Sequence, residues 1–583
     1  MSKKTTKKVA KTSGKKTAKA STKKSTARKT FDIENIPQPL GGSVEVISFR
    51  KYEYAMLGIR LFNAFERKDR FCIPVQKVLL RFKQLEKFRT DNAKEALAQK
   101  ELLEFAEDRL KNQIKAFKTL AEQGVVQFEH LWLLFEEQQE VVFSDTGVEM
   151  AGICNECAVV ETFRGPMVLI KTRYLKHDGQ DYEWCEHNAT IPVFDGVKEI
   201  ESLSVRPLDA STKERFIARG KKIASHCEQP SYLMYEGNAI RRAWWGTREY
   251  RSHGRCMIDA KTFSMMNSNY DTEDATGDTL DAVPENLLHL LNPWVMGFSF
   301  TSKVWGEFNI EHLDEIQFNS DAYDKLVLPE RTMDGITINP KAMIKSLVER
   351  GAGSFSDLIS GKGGGIIFLL HGPPGVGKTL SAEAVADLLE RPLYTVSVGE
   401  LGTDTSELEA NLRQVLEVAT LWNAVLLLDE ADIFLEKRSS NDIERNAMVG
   451  IFLRMLEYYQ GVLFLTTNRV RDFDPAFNSR ISIALHYPDL NQPVRLQIWK
   501  NLLECAGVDA QTLDLNTLSK YDINGRQIKN AIRIGMSLAA EDGRALHQDD
   551  VLKTIKLGEA FNADLQDKVV NKPGTGFIDV YGV

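Results

Sequence analysis

Acidic residues are absent from the first thirty positions, and no apolar run in the 583 residues approaches the ~18 needed to span a bilayer. Cysteine is scarce, with seven residues, an odd number. That excludes a fully paired disulfide framework and fits free thiols in a reducing compartment. The N-terminus has no apolar core of the kind a secretory signal carries, and residues 1–30 lack the amphipathic face of a mitochondrial transit peptide. None of the ten histidines stands in an H-E-x-x-H pair, so nothing points to a zinc protease. The expectation is an intracellular chain of cytoplasm or nucleus with no membrane partner.

Charge is unevenly placed. Residues 1–30 hold eleven lysines and one arginine, whereas the whole chain carries 81 acidic against 74 basic residues. Val9 is the only large aliphatic residue after Met1 in this Lys/Thr/Ser/Ala stretch, so it cannot bury a core and is expected to be a disordered basic tail. It resembles lysine-rich histone-type tails. That leaves nucleic-acid contact or nuclear import open beside a plain solvated charge run.

The length calls for several domains. Residues 31–124 read as a largely helical segment entered past Pro37 and Pro39, with Leu103, Ala106, Leu110, Ile114 and Phe117 on one face. Residues 125–310 read as a strand-rich α+β domain, with β-branched or aromatic runs at Val141–Phe143, Ala158–Phe163, Met167–Tyr174 and Leu203–Val205. Its acidic stretch 271–282 reads as an exposed loop. Cys154 and Cys157, with Cys185 and His187, are the candidate zinc ligands. They lack the glycine-bearing knuckle, and buried structural thiols are the expectation.

The chemistry lies further on. The apolar run Ile366–Leu370 reads as a buried strand, broken by Gly372-Pro373-Pro374-Gly375-Val376-Gly377-Lys378-Thr379-Leu380, after which a helical pattern begins. In that setting G-x-x-x-x-G-K-[ST] is a phosphate-binding loop. Its glycines let successive N–H groups face phosphate oxygens, and the helix adds its positive end. Lys378 can reach the β- and γ-phosphates of ATP, and the Thr379 hydroxyl can ligate Mg²⁺. A second apolar strand ends in Asp429-Glu430, where Asp429 would hold Mg²⁺ and Glu430 would polarise the attacking water. A third ends in Thr466-Thr467-Asn468, bringing the Asn468 amide beside the same phosphate. Alternating strands and helices call for a parallel sheet with helices on both faces.

The order GPPGVGKT, LLLDEAD, TTN and then Arg480 resembles the core of AAA ATPases, from about Ile310 to about Ala560. The stretches at 255–263, 297–308 and 318–330 are similar to a subgroup with a poorly characterised N-terminal domain. The resemblance implies an ATPase large subdomain at 311–488, a helical lid at 489–560 and a tail at 561–583. It also implies a homo-oligomer, a hexameric ring, with Arg480 acting in trans; relatives show two arginines after the D-P-A motif, and Arg469 or Arg471 could share the role. Arg526, opening a lid helix, would sense the γ-phosphate. The function implied is ATP-driven remodelling of an unidentified protein substrate, with a nucleotide-gated scaffold tethered to nucleic acid by residues 1–30 as the alternative. In unfolding relatives the loop after the second strand carries an aromatic grip. Here residues 399–407 have none, so threading of stable proteins is not expected.

Overall fold

The structure, a computed structural model, describes residues 31–570 except 38–42, 50–64, 68–69, 271–274, 334–335, 351–364, 438–442 and 470–472 and the single positions 81, 91, 164, 244, 269 and 403. The basic tail 1–30, Pro39, Arg471 and residues 571–583 therefore lie outside the described residues. The chain divides into two compact units, Met1–Tyr174 with Glu186–Lys213, and Leu175–Cys185 with Glu214–Val583.

In the first unit, strands Phe31–Pro37 and Ser43–Phe49 form an antiparallel pair, continued by Arg70–Pro74 and Phe65–Arg67. Pro37 pairs with Ser43 and so belongs to the sheet instead of marking a boundary. The helix Ala93–Ala121, capped by the Asn92 side chain, packs Ala98, Leu102 and Ala106 against Ile47, Phe49 and Ile73. Leu103, packed on the same core, and Ile114 and Phe117 are half-buried, as the expected face requires, and the fully buried stripe is Ala98, Leu102, Ala106 and Leu110. Steps of four residues keep these side chains on one face. A further antiparallel sheet orders Val205–Pro207, Glu140–Asp145, Val148–Thr162 and Gly165–His177.

The second unit contains a small closed barrel. Strands β1 (Ser231–Ala243) and β2 (Gly246–Ile258) form a long hairpin. β2 pairs with β3 (Trp294–Ser299), β3 with β4 (Val304–Asn309), and β4 returns to β1 at Ile240 and Glu307. Leu233, Tyr235, Ala239, Ile258, Val295 and Phe308 fill it. The acidic stretch expected as a loop includes the strand Ala275–Leu280, which pairs with Tyr182 and Glu183 and keeps Ala275 to Thr279 exposed.

Beyond it, β5 (Ile366–His371), β6 (Leu393–Ser397), β7 (Val425–Asp429), β8 (Val462–Thr467) and β9 (Ile483–His486) form one parallel sheet in the order β6-β7-β8-β5-β9. Alternate side chains enter opposite cores: Ile367, Leu369, Leu426, Leu428, Leu463 and Leu465 on one face, and Phe368, Leu370, Val425, Leu427 and Phe464 on the other. Burial on both faces makes each strand a continuous apolar run. Helices α1 (Lys378–Leu388), α2 (Thr405–Leu421) and α3 (Ile443–Tyr458) flank the sheet. The expected α/β core with flanking helices is therefore present. So is the expected helical lid: α4 (Gln492–Cys505), α5 (Gly525–Glu541) and α6 (Gln548–Val570) pack around Trp499, Leu503, Ile528 and Val551.

Barrel and sheet share a joint of aromatic rings. Phe298 lies 5.6 Å from Tyr394 and 5.8 Å from Trp422, and Trp305 lies 5.6 Å from Trp422. The Trp422 indole N–H donates to Asp259 at 2.8 Å, and Arg255 pairs with Asp387 at the end of α1 at 2.6 Å.

Candidate nucleotide site

The loop between β5 and α1 turns on three glycines with positive φ: Gly372 at 147°, Gly375 at 78° and Gly377 at 103°. A side chain on Gly372 would strike the Tyr487 carbonyl, and one on Gly375 would meet the Asn524 side chain at 2.6–2.8 Å. Both positions therefore need glycine for space as well as for backbone. Gly377 caps α1, so the helix starts at Lys378 with its N–H groups open toward the loop.

Lys378 is buried, and its ammonium donates to Gly372 O at 2.7 Å, to Pro373 O at 2.8 Å and to Asn468 Oδ1 at 2.8 Å. Burial pushes this lysine below its ordinary range. Asp429, Asp432 and Glu430 hold it up, and Arg526 pushes it further down. Asn468 reaches it because β8 lies beside β5 with Thr467 opposite His371. The Thr379 hydroxyl lies 3.4 Å from Asp429 Oδ1. A hydroxyl and a carboxylate so close are hard oxygen donors of the kind Mg²⁺ takes.

Glu430 follows β7 at φ 56°, a left-handed conformation that costs a non-glycine residue about 1–2 kcal/mol. Thr466 supports it: the Glu430 N–H donates to Thr466 Oγ1 at 2.9 Å, and Thr466 Oγ1 donates to Asp429. Ala431 N donates to Thr466 O at 3.0 Å. Asp432 accepts from the Thr467 hydroxyl and from Asn468 N–H. Thr466 and Asp432 thus fix the ends of β7 and β8. Both stand inside the sequence motifs, where only their neighbours are given a role.

The lid touches the loop directly. Gly525 N donates to Gly375 O at 3.0 Å, and the Asn524 amide lies 3.5 Å from Pro374 O. Asn524 caps α5 in a reciprocal arrangement with Gln527. The sequence signal for it was the Asn-x-x-Gln spacing. Beside Val376 an apolar pocket is lined by Val327, Leu328, Tyr487, Leu490 and Val494, a feature no motif announces. Arg526 is exposed in the first turn of α5, and the Leu380 side chain is exposed on α1.

Arg480 is not brought to this loop. Its guanidinium donates to Leu453 O at 3.1 Å and Ala476 O at 3.0 Å and lies 3.3 Å from Glu457. Where a loop was expected after β6, a short helix Val398–Leu401 buries Leu401 and pairs Glu400 with Lys303 of the barrel at 2.5 Å, and Asp404 caps α2 through Ser406 N and Glu407 N. Away from this site, Cys154 and Cys185 are buried, and burial pushes the thiols of Cys154, Cys157 and Cys185 up to about 11, 12 and 11.

Residues 368–489 match the family described as ATPase family associated with various cellular activities (AAA). The chain carries an AAA ATPase module. Residues 116–212 match a domain of unknown function (DUF7025), so the AAA module sits behind a region whose role is unassigned. Similar proteins include the "Mitochondrial sorting homolog" of Caenorhabditis elegans, 30% identical over 30% of this chain and 53% of that protein. Human "ATPase family AAA domain-containing protein 3B" is 29% identical over 28% of this chain and 26% of its own length. The zebrafish "Outer mitochondrial transmembrane helix translocase" is 28% identical over 35% of this chain and 63% of its own. The matches thus span from about a quarter to under two thirds of these relatives. Two of the names are mitochondrial, which overturns the expected cytoplasmic or nuclear location. That expectation rested on free thiols and on the missing apolar core and amphipathic face of residues 1–30, and the lack of a leader pattern does not exclude a mitochondrial address. Among the described residues no helix is long and apolar enough to cross a membrane.

Proposed function

We propose that the AAA module hydrolyses ATP with Mg²⁺ in a ring of identical subunits and uses the cycle to remodel a protein partner at mitochondria. The observation that carries the reading is the convergence of three strand ends on one loop. β5 leads into Lys378 and Thr379, β7 ends at Asp429 and Glu430, and β8 ends next to Asn468. Placement of ligand groups at the carboxyl ends of parallel strands is the general rule for such sheets.

In this reading the loop N–H groups and Lys378 bind the phosphates, Thr379 and Asp429 hold Mg²⁺, and the pocket beside Val376 takes the base. Bound Mg²⁺ would neutralise charge on the phosphates. Glu430 orients the attacking water and accepts its proton, while Asn468 aligns the γ-phosphate against Lys378. Catalysis of this kind is positioning and charge stabilisation. The Gly525–Gly375 hydrogen bond carries the state of the site to the lid, with Arg526 as its sensor. Arg480 serves a neighbouring subunit. The domain limits drawn from the sequence belong to the same proposal, and the mitochondrial placement rests on the names of the relatives.

The test is subunit mixing. Glu430→Gln and Arg480→Ala subunits, each inactive alone, should regain hydrolysis when mixed. Mixed assemblies with no recovered hydrolysis would overturn the shared site.

A further inference from the structure

Thr466 lies near the end of β8, directly after the apolar run Val462–Leu465, and is 2% exposed. β7 and β8 pair from Val425 opposite Val462 up to Leu428 opposite Leu465. Past that pair the chain turns out of the sheet, and Thr466 takes both amides of the turn. Glu430 N donates to its hydroxyl at 2.9 Å, and Ala431 N donates to its carbonyl at 3.0 Å. The same hydroxyl donates to Asp429 Oδ1. Thr467, one residue on, serves other groups: its hydroxyl donates to Asp432 and accepts from Arg469 N at 3.0 Å.

This arrangement uses a hydroxyl in full. A hydroxyl has one hydrogen to give and lone pairs to accept, so it can bridge a carboxylate and an amide at once. Valine would fill the same space and extend the packed face of Val462 and Phe464, but it could do neither. A buried hydroxyl costs solvation unless it is bonded, and here both bonds go to candidate site residues. The Asp429 oxygen that Thr466 holds is the one 3.4 Å from the Thr379 hydroxyl, so Thr466 also sets the oxygen pair suited to Mg²⁺. The amide it holds belongs to Glu430, whose φ of 56° is left-handed. The Glu430 side chain is exposed, so its carboxylate is aimed by the backbone and not by packing. Without the Thr466 hydroxyl the turn loses a bond that keeps this strained backbone in place, and the carboxylate moves with it.

We infer that Thr466 is a positioning residue for hydrolysis: its single hydroxyl sets Asp429 and Glu430 relative to each other, so that the metal-holding and water-activating carboxylates face the γ-phosphate together. The inference rests on the reading of Glu430 as the group that activates water. It adds that the aim of Glu430 is set from the neighbouring strand. Thr466 acts through the two carboxylates and not on the nucleotide.

The experiment compares Thr466→Val, Thr466→Ala and Thr466→Ser with wild type in the full chain. It reads single-turnover ATP hydrolysis across a Mg²⁺ titration, the Kd of a fluorescent ATP analogue without metal, and the melting temperature. Thr466→Val should bind the analogue within about threefold of wild type yet hydrolyse ATP about thirtyfold more slowly, as a group displaced by a fraction of an ångström does. It should also need more Mg²⁺ to reach half its full rate. Thr466→Ala removes the same hydroxyl and should behave alike, so the test stands if one of the two fails to fold. Thr466→Ser keeps the hydroxyl and should hydrolyse within about threefold of wild type. At saturating Mg²⁺, Thr466→Val combined with Glu430→Gln should be no slower than Glu430→Gln alone, because both losses act through one carboxylate. Wild-type hydrolysis by Thr466→Val or Thr466→Ala beside an inactive Glu430→Gln would overturn the inference and leave Glu430 in its role. So would a Thr466→Ser as slow as Thr466→Val, or a double variant slowed by the full factor of Thr466→Val. Glu430→Gln as active as wild type would instead remove the reading beneath the inference, and the inference with it.

Discussion

The Asn468 side-chain oxygen accepts a hydrogen bond from Lys378 Nζ at 2.8 Å, tying the end of β8 to the phosphate loop across ninety residues of sequence. Asn468→Ala leaves Lys378 its two carbonyl partners, so nucleotide binding should change by less than about tenfold. Hydrolysis should fall about a hundredfold, the usual cost of one lost group that positions developing charge. The check is kcat beside the Kd of a fluorescent ATP analogue.

Gly375→Ala should damage the contact between loop and lid. The new methyl group would lie 2.6–2.8 Å from Asn524 at a backbone φ of 78°. ATP affinity should drop by at least tenfold, and Gly375→Ala with Asn524→Ser should recover part of it, because the clash is relieved while backbone strain of about 1 kcal/mol stays. Titration calorimetry of the single and double variants separates the two contributions.

The aromatic joint should behave as one core. Trp422 is buried, bonded to Asp259 and ringed by Phe298, Phe300 and Trp305. Trp422→Ala should cost about 3–5 kcal/mol in urea unfolding. Trp422→Phe should cost less, since Asp259 keeps its bonds to Thr262 N and Oγ1.

Asp550 in the lid should make stability depend on acid. The Arg544 guanidinium bonds both its oxygens, at 2.6 and 2.9 Å, and holds this carboxyl well below the usual value of 3.8. A depressed folded pKa gives stability that is complete above the ordinary aspartate range and is lost progressively as pH falls from there through the lower folded value. Asp550→Asn should melt lower than wild type at neutral pH, and the gap should narrow as pH drops below about 4. A gap independent of pH would assign the loss to packing alone.

Legibility followed burial. The strands β5, β7 and β8 are covered on both faces and read as apolar runs ending in the candidate site residues, so the convergence of Lys378, Asp429, Glu430 and Asn468 on one loop was legible. The hairpin β1–β2 was not. RRAWWGTREYR has exposed arginines where an apolar alternation would have marked a strand, and its turn lacks the Asn-Gly type of signal. The same reason hid Ala275–Leu280, exposed from Ala275 to Thr279. On the helix Ala93–Ala121 the face through Leu103, Ala106 and Leu110 was legible from its period, and Leu102, one position away, joins it because a 3.6-residue period lets neighbouring leucines share a broad buried face. Asn524 and the pocket beside Val376 depend on the lid folding back over the loop, which no local pattern records.

The central claim is tested most directly by single-turnover hydrolysis of radiolabelled ATP in wild type and Glu430→Gln, with bound nucleotide measured in the same samples. The account predicts equal or tighter ATP binding by Glu430→Gln and a hydrolysis rate lower by at least about a hundredfold, because the site keeps Lys378, Thr379 and Asp429 but loses the group that activates water. Equal hydrolysis rates in the two proteins would contradict it.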